Sequence, residues 1–305
     1  TVRGDLSPAN SLGTALSLST NTNTLPLSTA SPVYESGLVR QTTVAKLICP
    51  SLPDSTIAGE LTCILSDIHA NRPALDAVLA VAQDLGADGF LVLGDIVGYG
   101  PHPAECVERI RSLSNAVVVR GNHDDLVARN SPPENVNRIA RLAIEWTRSQ
   151  LDSSDRKWLQ ELPVEHAEGS WIAVHGAPCC LERFTAYVYE LTYRDNLSKL
   201  EQTGKHLCFF GHTHVPFIYR RTAAGDEKLA PVPVTVLQTN EITLLNPGSV
   251  GQPRDGDLYA AFAMWNRRTN RLTFHRVPYA IHETATAILA AGLPEDLANR
   301  LEVGR

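Results

Sequence analysis

Five short clusters along the 305-residue chain carry side chains suited to holding cations. They are Asp67 with His69, Asp95, Asn122 with His123, His175, and His212 with His214. Carboxylate, amide and imidazole donors suit borderline divalent ions such as manganese, zinc, iron or nickel. Five of the ten histidines fall in these clusters, a concentration that core filling does not account for. The donors also outnumber what one ion takes. A pair of ions about 3.5–4 Å apart, bridged by a carboxylate, would employ them all. Such a pair brings the pKa of bound water toward roughly 7 and clamps a phosphate for in-line attack.

Each cluster closes an apolar run: "LTCIL" (61–65), "FLVLGD", "AVVVRGNHDD", "WIAVHG" and "LCFFGHTH". In open α/β sheets, ligands gather at the carboxyl ends of the strands, so the five clusters are expected around one crevice. Residues two apart in an extended segment face the same side. On that reading His212 and His214 point together while Thr213 points away, and Asp67 and His69 do the same. Glycines before Asp95, Asn122 and His212 permit tight turns.

Between the first runs lie helical periods, "RPALDAVLAVAQDLG" with Pro73 in its first turn, and "PAECVERIRSL". Strand, helix, strand, helix, strand at this spacing predicts a largely parallel sheet with right-handed crossovers, and "GNHDD" reads as the loop after the third strand. Two further helices are expected at about Glu134–Gln150 and Ser154–Leu162. Beyond Val215 the chain turns to short strands, "FIYRR", "PVTVLQ", "ITLLNPGSVG", "YAAFAMW" and "LTFHRVP". Helices at Ile281–Ala291 and Pro294–Leu301 close it.

Residues 1–57 differ in character. "SLSTNTNTLPLSTASP" is rich in Ser, Thr, Asn and Pro and nearly uncharged, so it reads as a poorly ordered extension to a domain spanning 58–305. No basic stretch there precedes a continuous apolar one, so a secretory signal is not expected. A net charge of −6 and a pI near 5.9 argue against broad binding to nucleic acid or anionic lipid. An anionic substrate would then need locally placed cations, either metals or a few arginines. The six cysteines lack the paired spacing of a zinc ribbon, and no apolar run is long enough to cross a bilayer. A reducing, cytoplasmic setting is the expectation.

The ordered set "DIH", "GD", "GNHD", "HG" and "GHTH" resembles the motifs of the calcineurin-like metallophosphoesterases, over about Leu61 to Val277. "GDIVGYGP", "GHTHVP" and "NPGSVGQPR" look most like the small bacterial and archaeal phosphodiesterase-type branch. The resemblance implies an α/β (α+β) fold in four αββα layers. It implies one metal held by Asp67, His69, Asp95 and His214. A second would be held by Asp95, Asn122, His175 and His212, with Asp95 bridging beside a nucleophilic hydroxide. His123 would face the leaving oxygen and protonate or stabilise it.

The chain departs from the family's protein phosphatases, which carry "GDxVDRG"; Gly98 and Tyr99 stand at the Asp and Arg positions. The carboxylate that would orient His123 is therefore missing there, with Asp124 as a candidate substitute. Arg72, Arg120, Arg183 and Arg254 are candidate phosphate contacts, Tyr99 and His102 candidate pocket residues, and Asn246-Pro247-Gly248 a tight turn that would border the site. The expected function is a dinuclear metal-dependent phosphoesterase acting on a small-molecule or nucleotide phosphodiester. Phosphomonoesterase, protein phosphatase or dinucleoside polyphosphate hydrolase activity is the alternative. A non-catalytic scaffold on the same fold would show an eroded ligand set, and this one is complete.

Overall fold

β1 (Leu61–Leu65) is apolar but for Thr62, and its alternate residues are buried in different places. Cys63 and Leu65 pack with helices, while Ile64 packs against a second sheet. That alternation follows from the two-residue period of a strand. The computed structural model describes residues 57–131, 136–179 and 186–305; the expected extension therefore lies outside the described residues except for Ile57.

β1 pairs in parallel with β2 (Gly89–Val92), and β2 with β3 (Ala116–Val118). The crossovers are α1 (Arg72–Asp84) and α2 (Pro103–Arg111), each with Pro in its first turn. The Asn71 side chain caps α1 by accepting from the Ala74 amide at 3.2 Å. On its other edge β1 meets β11 (Ala260–Asn266) antiparallel. β12 (Arg271–Val277) and β9 (Thr235–Val236) follow, giving the order β3-β2-β1-β11-β12-β9. The sheet is mixed rather than largely parallel. Parallel neighbours need a long crossover, usually a helix, whereas β11 and β12 follow one another with none between and pair as a hairpin.

The second sheet is also mixed. Its order is β4 (Glu165–Glu168), β5 (Trp171–Val174), β6 (Leu207–Phe209), β10 (Ile242–Asn246), β7 (Phe217–Thr222) and β8 (Gly225–Leu229). Trp171, Ala173, Phe209 and Leu245 from this sheet meet Ile64, Leu91, Leu93, Ala263 and Trp265 from the first in a buried layer between the two. Its opposite face, with Ile172, Val174, Cys208 and Leu244, packs on α6 (Tyr193–Gln202) through Leu197 and Leu200. Helix, sheet, sheet, helix is the four-layer architecture expected.

Several local expectations change. "GNHDD" is not a loop: α3 (Asn122–Ala128) begins at Asn122. α4 (Arg138–Gln150) starts after Asn137, whose side chain accepts from the Ala140 amide at 2.9 Å, later than the expected Glu134. α5 (Ser153–Glu161) is capped by Asp152. α7 (Ile281–Ala290) and α8 (Glu295–Val303) fall where periodicity put them. Among the described residues no helix is long and apolar enough to cross a membrane.

Candidate metal centre

The loops after β1 and β2 are tied main chain to main chain. The Asp67 amide donates to Gly94 O (3.1 Å), His69 to Asp95 O (2.9 Å) and Ala70 to Ile96 O (2.8 Å). Five of the site residues sit in the left-handed backbone region: Asp67 (φ 52°), His69 (48°), Asp95 (53°), His212 (66°) and His214 (60°). The extended-segment reading of Asp67/His69 and His212/His214 is thus corrected. Past the strand end the chain must turn at once to keep successive side chains on one point, and left-handed residues do this at a cost of about 1–3 kcal/mol each. The loop-to-loop hydrogen bonds offset that strain.

The side chains converge as expected. Ligating atoms of Asp67, His69 and His214 form one group, and those of Asp95, His175 and His212 another, each within 4.8 Å. All are buried, as are Asn122 and His123. His69 Nε2 lies 3.1 Å from His214 Nε2, and His214 Nε2 lies 3.4 Å from Asp67 Oδ1. In the second group His175 Nε2 lies 3.0 Å from Asn122 Oδ1, 3.2 Å from His212 Nδ1 and 3.3 Å from Asp95 Oδ2. Asp95 reaches the first group too, with Oδ2 3.6 Å from His69 Nε2. It thus stands between the two groups.

The proton positions decide what such a cluster wants. Carbonyl oxygens only accept, so the rings facing them must donate from Nδ1: His69 to Val97 O (3.2 Å), His214 to Gln252 O (2.7 Å) and His175 to Leu93 O (2.7 Å). A neutral ring has one N–H. Nε2 of His69 and Nε2 of His214 are therefore bare lone pairs aimed at each other. Burial holds both imidazoles well below their ordinary pKa, so no proton arrives to reconcile them. Lone pairs facing one another in a dry site are costly unless a cation sits between them. These residues fit a metal ion.

Charge at the second group tells the same story. Burial would raise Asp95, yet the imidazoles of His175, His123 and His69 hold it well below the usual carboxylate range. Burial likewise opposes a charge on His175, but the Asp95 carboxylate, helped by Asp67, outweighs it and pushes the ring up to about 9. Asp67 is itself raised to about 6 by burial, with Asp95 adding to the rise. His212 and His123 are lowered, chiefly by burial, to about 3 and about 4. The cluster is anionic and rich in acceptors, and it draws in positive charge.

His123 is in the first turn of α3, its amide donating to Asp95 Oδ1 at 2.9 Å. Its ring packs 4.4 Å from Tyr99 and 4.8 Å from His69. Gly98 (φ +89°) lies against its Nδ1, and a Cβ there would collide with the ring. Asp124 does not orient this ring, contrary to the sequence-based suggestion. Its Oδ1 accepts from the amides of Ile96 (2.9 Å) and Val97 (3.2 Å), and its Oδ2 from Gly121 (2.9 Å). Asp124 instead caps α3 and ties it to the loop carrying Asp95.

The remaining candidates separate. Arg72 pairs with Asp76 on the exposed face of α1, and Arg120 donates to Gln160 O and faces Asp125. Arg183 lies outside the described residues. His102 precedes α2 and is half-buried. Tyr99 is buried between His69 and His123, with Arg254 above its ring. Asn246 braces the second histidine loop, its Nδ2 donating to Gly211 O (2.8 Å) and Thr213 Oγ1 (3.0 Å). Sequence reasoning overlooked three contributors. Ser249 donates to Asp67 O at 2.8 Å, Gln252 O orients His214, and the Tyr187 ring stacks on His212 at 4.0 Å. The run "NPGSVGQPR" held the signal for the first two; an isolated tyrosine gives none.

A sequence model described as the calcineurin-like phosphoesterase superfamily domain matches residues 61–269. The chain is 35% identical over 249 residues to the protein MJ0912 of Methanocaldococcus jannaschii, covering 80% of this chain and 98% of that one. It is 25% identical over 201 residues to the phosphodiesterase YfcE of Escherichia coli, covering 63% and 80% respectively. A crystal structure of a metallophosphoesterase from Sphaerobacter thermophilus superposes with a TM-score of 0.70 at 38% identity, covering 81% of this chain and 99% of the other.

Proposed function

Because the chain belongs to the calcineurin-like phosphoesterase superfamily, we propose that it hydrolyses a phosphodiester, of a small molecule or a nucleotide, with two divalent cations. Manganese, iron, zinc or nickel would suit the donor set. One ion falls to Asp67, His69, Asp95 and His214, and the other to Asp95, Asn122, His175 and His212. The observation that carries this reading is the 3.1 Å approach of the two unprotonated Nε2 atoms of His69 and His214. The similarity to a phosphodiesterase supports the diester over other phosphoesters. Residues 58–305 form the catalytic domain in this reading, residues 1–57 are an extension, and the setting is cytoplasmic.

When bound, the ions would act as Lewis acids on the phosphoryl group and acidify a water for attack. The protein's own part is orientation. Carbonyls of Val97, Leu93 and Gln252 take the Nδ1 protons of three histidines and turn Nε2 toward the centre, bare on His69 and His214. His175 would give up its Nε2 proton when a cation binds. Asp124 and Ser249 hold the main chain of the two loops that carry the carboxylates. His123, kept neutral by burial and clamped through its amide to Asp95, stands where it can meet the leaving oxygen.

The test is hydrolysis of an aryl phosphodiester by the purified full chain, with manganese or nickel added, beside metal analysis. Metal-dependent turnover faster on the aryl diester than on the matched monoester or a dinucleoside polyphosphate is expected. A chain loaded with two equivalents of metal that hydrolyses none of the three is not a phosphoesterase.

A further inference from the structure

We propose that Arg254 is the substrate-binding cation of this site and receives the non-bridging oxygens of the phosphoryl group. The inference rests on the phosphoesterase reading above and names the residue that holds its substrate's charge.

The first support is an unbalanced charge. Four other half-buried arginines hold a carboxylate: Arg220 has Glu227 and Glu241, Arg221 has Asp226 and Glu201, Arg267 has Glu168, and Arg276 has Asp255 and Asp257. Arg148 and Arg156, far from the centre, make do with oxygens of Leu126, Ser131 and Asn130. Arg254 is half-buried as well, and among the described residues it forms no ion pair. Its Nη2 donates to Gln252 Oε1 at 2.9 Å and its guanidinium reaches the Tyr99 hydroxyl, both neutral groups. Its Nε is buried without an acceptor among the described residues. Partial burial of a charge beside neutral partners is unfavourable, and an anion arriving there removes the penalty.

The second support is position. The Arg254 amide donates to His214 O at 3.2 Å, two residues beyond the carbonyl that orients the same histidine. The guanidinium lies 6.0 Å from the centre of the Tyr99 ring, which in turn packs 4.6 Å from His69 and 4.4 Å from His123. Two neighbouring loops, tied main chain to main chain, therefore hold His214 and the Arg254 guanidinium in fixed relation.

Chemistry supplies the third support. The chain carries −6 overall, which repels an anionic ester, so the approach needs a local cation. A guanidinium offers two parallel N–H groups, a match for two phosphoryl oxygens that a lysine cannot reproduce. It stays charged throughout, and it would stabilise charge that builds on those oxygens in the transition state.

The experiment compares metal-loaded wild type with Arg254→Ala and Arg254→Lys. Three quantities are measured: bound metal, the affinity for inorganic phosphate by calorimetry, and kcat and KM on an aryl phosphodiester. Both variants should keep the wild-type metal content. Arg254→Ala should lose roughly ten- to a hundredfold in phosphate affinity and in kcat/KM, the span of a charged hydrogen bond. Arg254→Lys should recover part of it, and guanidinium added to the alanine variant should restore part of its turnover. An alanine variant that binds phosphate as tightly as wild type overturns the assignment. So does one that sheds its metal, since Arg254 would then be a support of the His214 loop. Wild type that holds both ions yet neither binds phosphate nor turns over would sink the phosphoesterase reading itself, and the role of Arg254 with it.

Discussion

The two sheets contribute unlike halves of the centre. From the first come both carboxylates, Asp67 and Asp95, together with His69 and Asn122; from the second come imidazoles alone, His175, His212 and His214. They are also held differently. Loops of the first sheet are laced by amide-to-carbonyl bonds, Asp67 to Gly94 and His69 to Asp95. The histidine loop of the second has main-chain links as well, Gly211 to His175 and Arg254 to His214, and its side-chain brace is a neutral amide, Asn246, gripping Gly211 and Thr213. Main-chain links survive substitution and side-chain braces do not. Changes at Asp95 or His123 should therefore report on chemistry, and a change at Asn246 on positioning.

Asp95 offers the hardest test, because it touches both groups. Asp95→Asn should lose bound metal and more than a hundredfold in activity, since even supporting residues of metal sites are worth ten- to a hundredfold. Metal analysis of the purified variant checks this, and full occupancy of both sites would break the bridging role. His123→Ala should behave in the opposite sense. It should keep both metals while kcat on the aryl diester falls by about 10²–10⁴. Unchanged turnover would remove His123 from the reaction. Weaker again is Asn246→Ala, for which metal affinity should drop about ten- to a hundredfold while the folded state persists. If Asn246→Ala binds metal like wild type, the second half is held as rigidly as the first and the contrast fails.

The seven candidate ligand residues were legible in sequence for a chemical reason. Few residue types ligate borderline metals, and strands deliver them at fixed ends. The layers followed from the family resemblance alone; strand and helix order by itself suggested a largely parallel sheet, whereas both sheets are mixed. What escaped was structure without an apolar signature. β4 reads Glu-His-Ala-Glu and β8 reads Gly-Asp-Glu-Lys-Leu, polar edge strands with no hydrophobic run. α3 hid because Asn and Asp are poor in helix interiors, although both are favoured in a first turn, where Asn122, Asp124 and Asp125 stand. The left-handed backbone at Asp67 and His214 had no cue, since those positions hold no glycine. Tyr187 and Asp124 act through tertiary contacts that no local pattern encodes.

Far from the centre, electrostatics should matter much less, and the β7–β8 hairpin measures by how much. Arg221 binds Asp226 through Nε at 2.7 Å and Nη2 at 2.9 Å, and those hydrogen bonds hold the carboxyl below its ordinary value of 3.8 against the opposing effect of burial. A carboxylate depressed on folding stabilises the protein above its unfolded pKa, and the contribution fades as the pH falls through the folded value. Asp226→Asn should therefore cost at most about 1 kcal/mol at neutral pH, within the range of partly exposed pairs. The gap between variant and wild type, followed by urea denaturation, should close as the solution is acidified past the ordinary carboxylate range. Metal content and kcat should not change at all. A gap that persisted or widened in acid would mean that the carboxylate contributes through packing and not through its charge. A loss of turnover would mean that the edge of the second sheet is coupled to its histidine loop, which would erase the distinction between a braced centre and an indifferent rim.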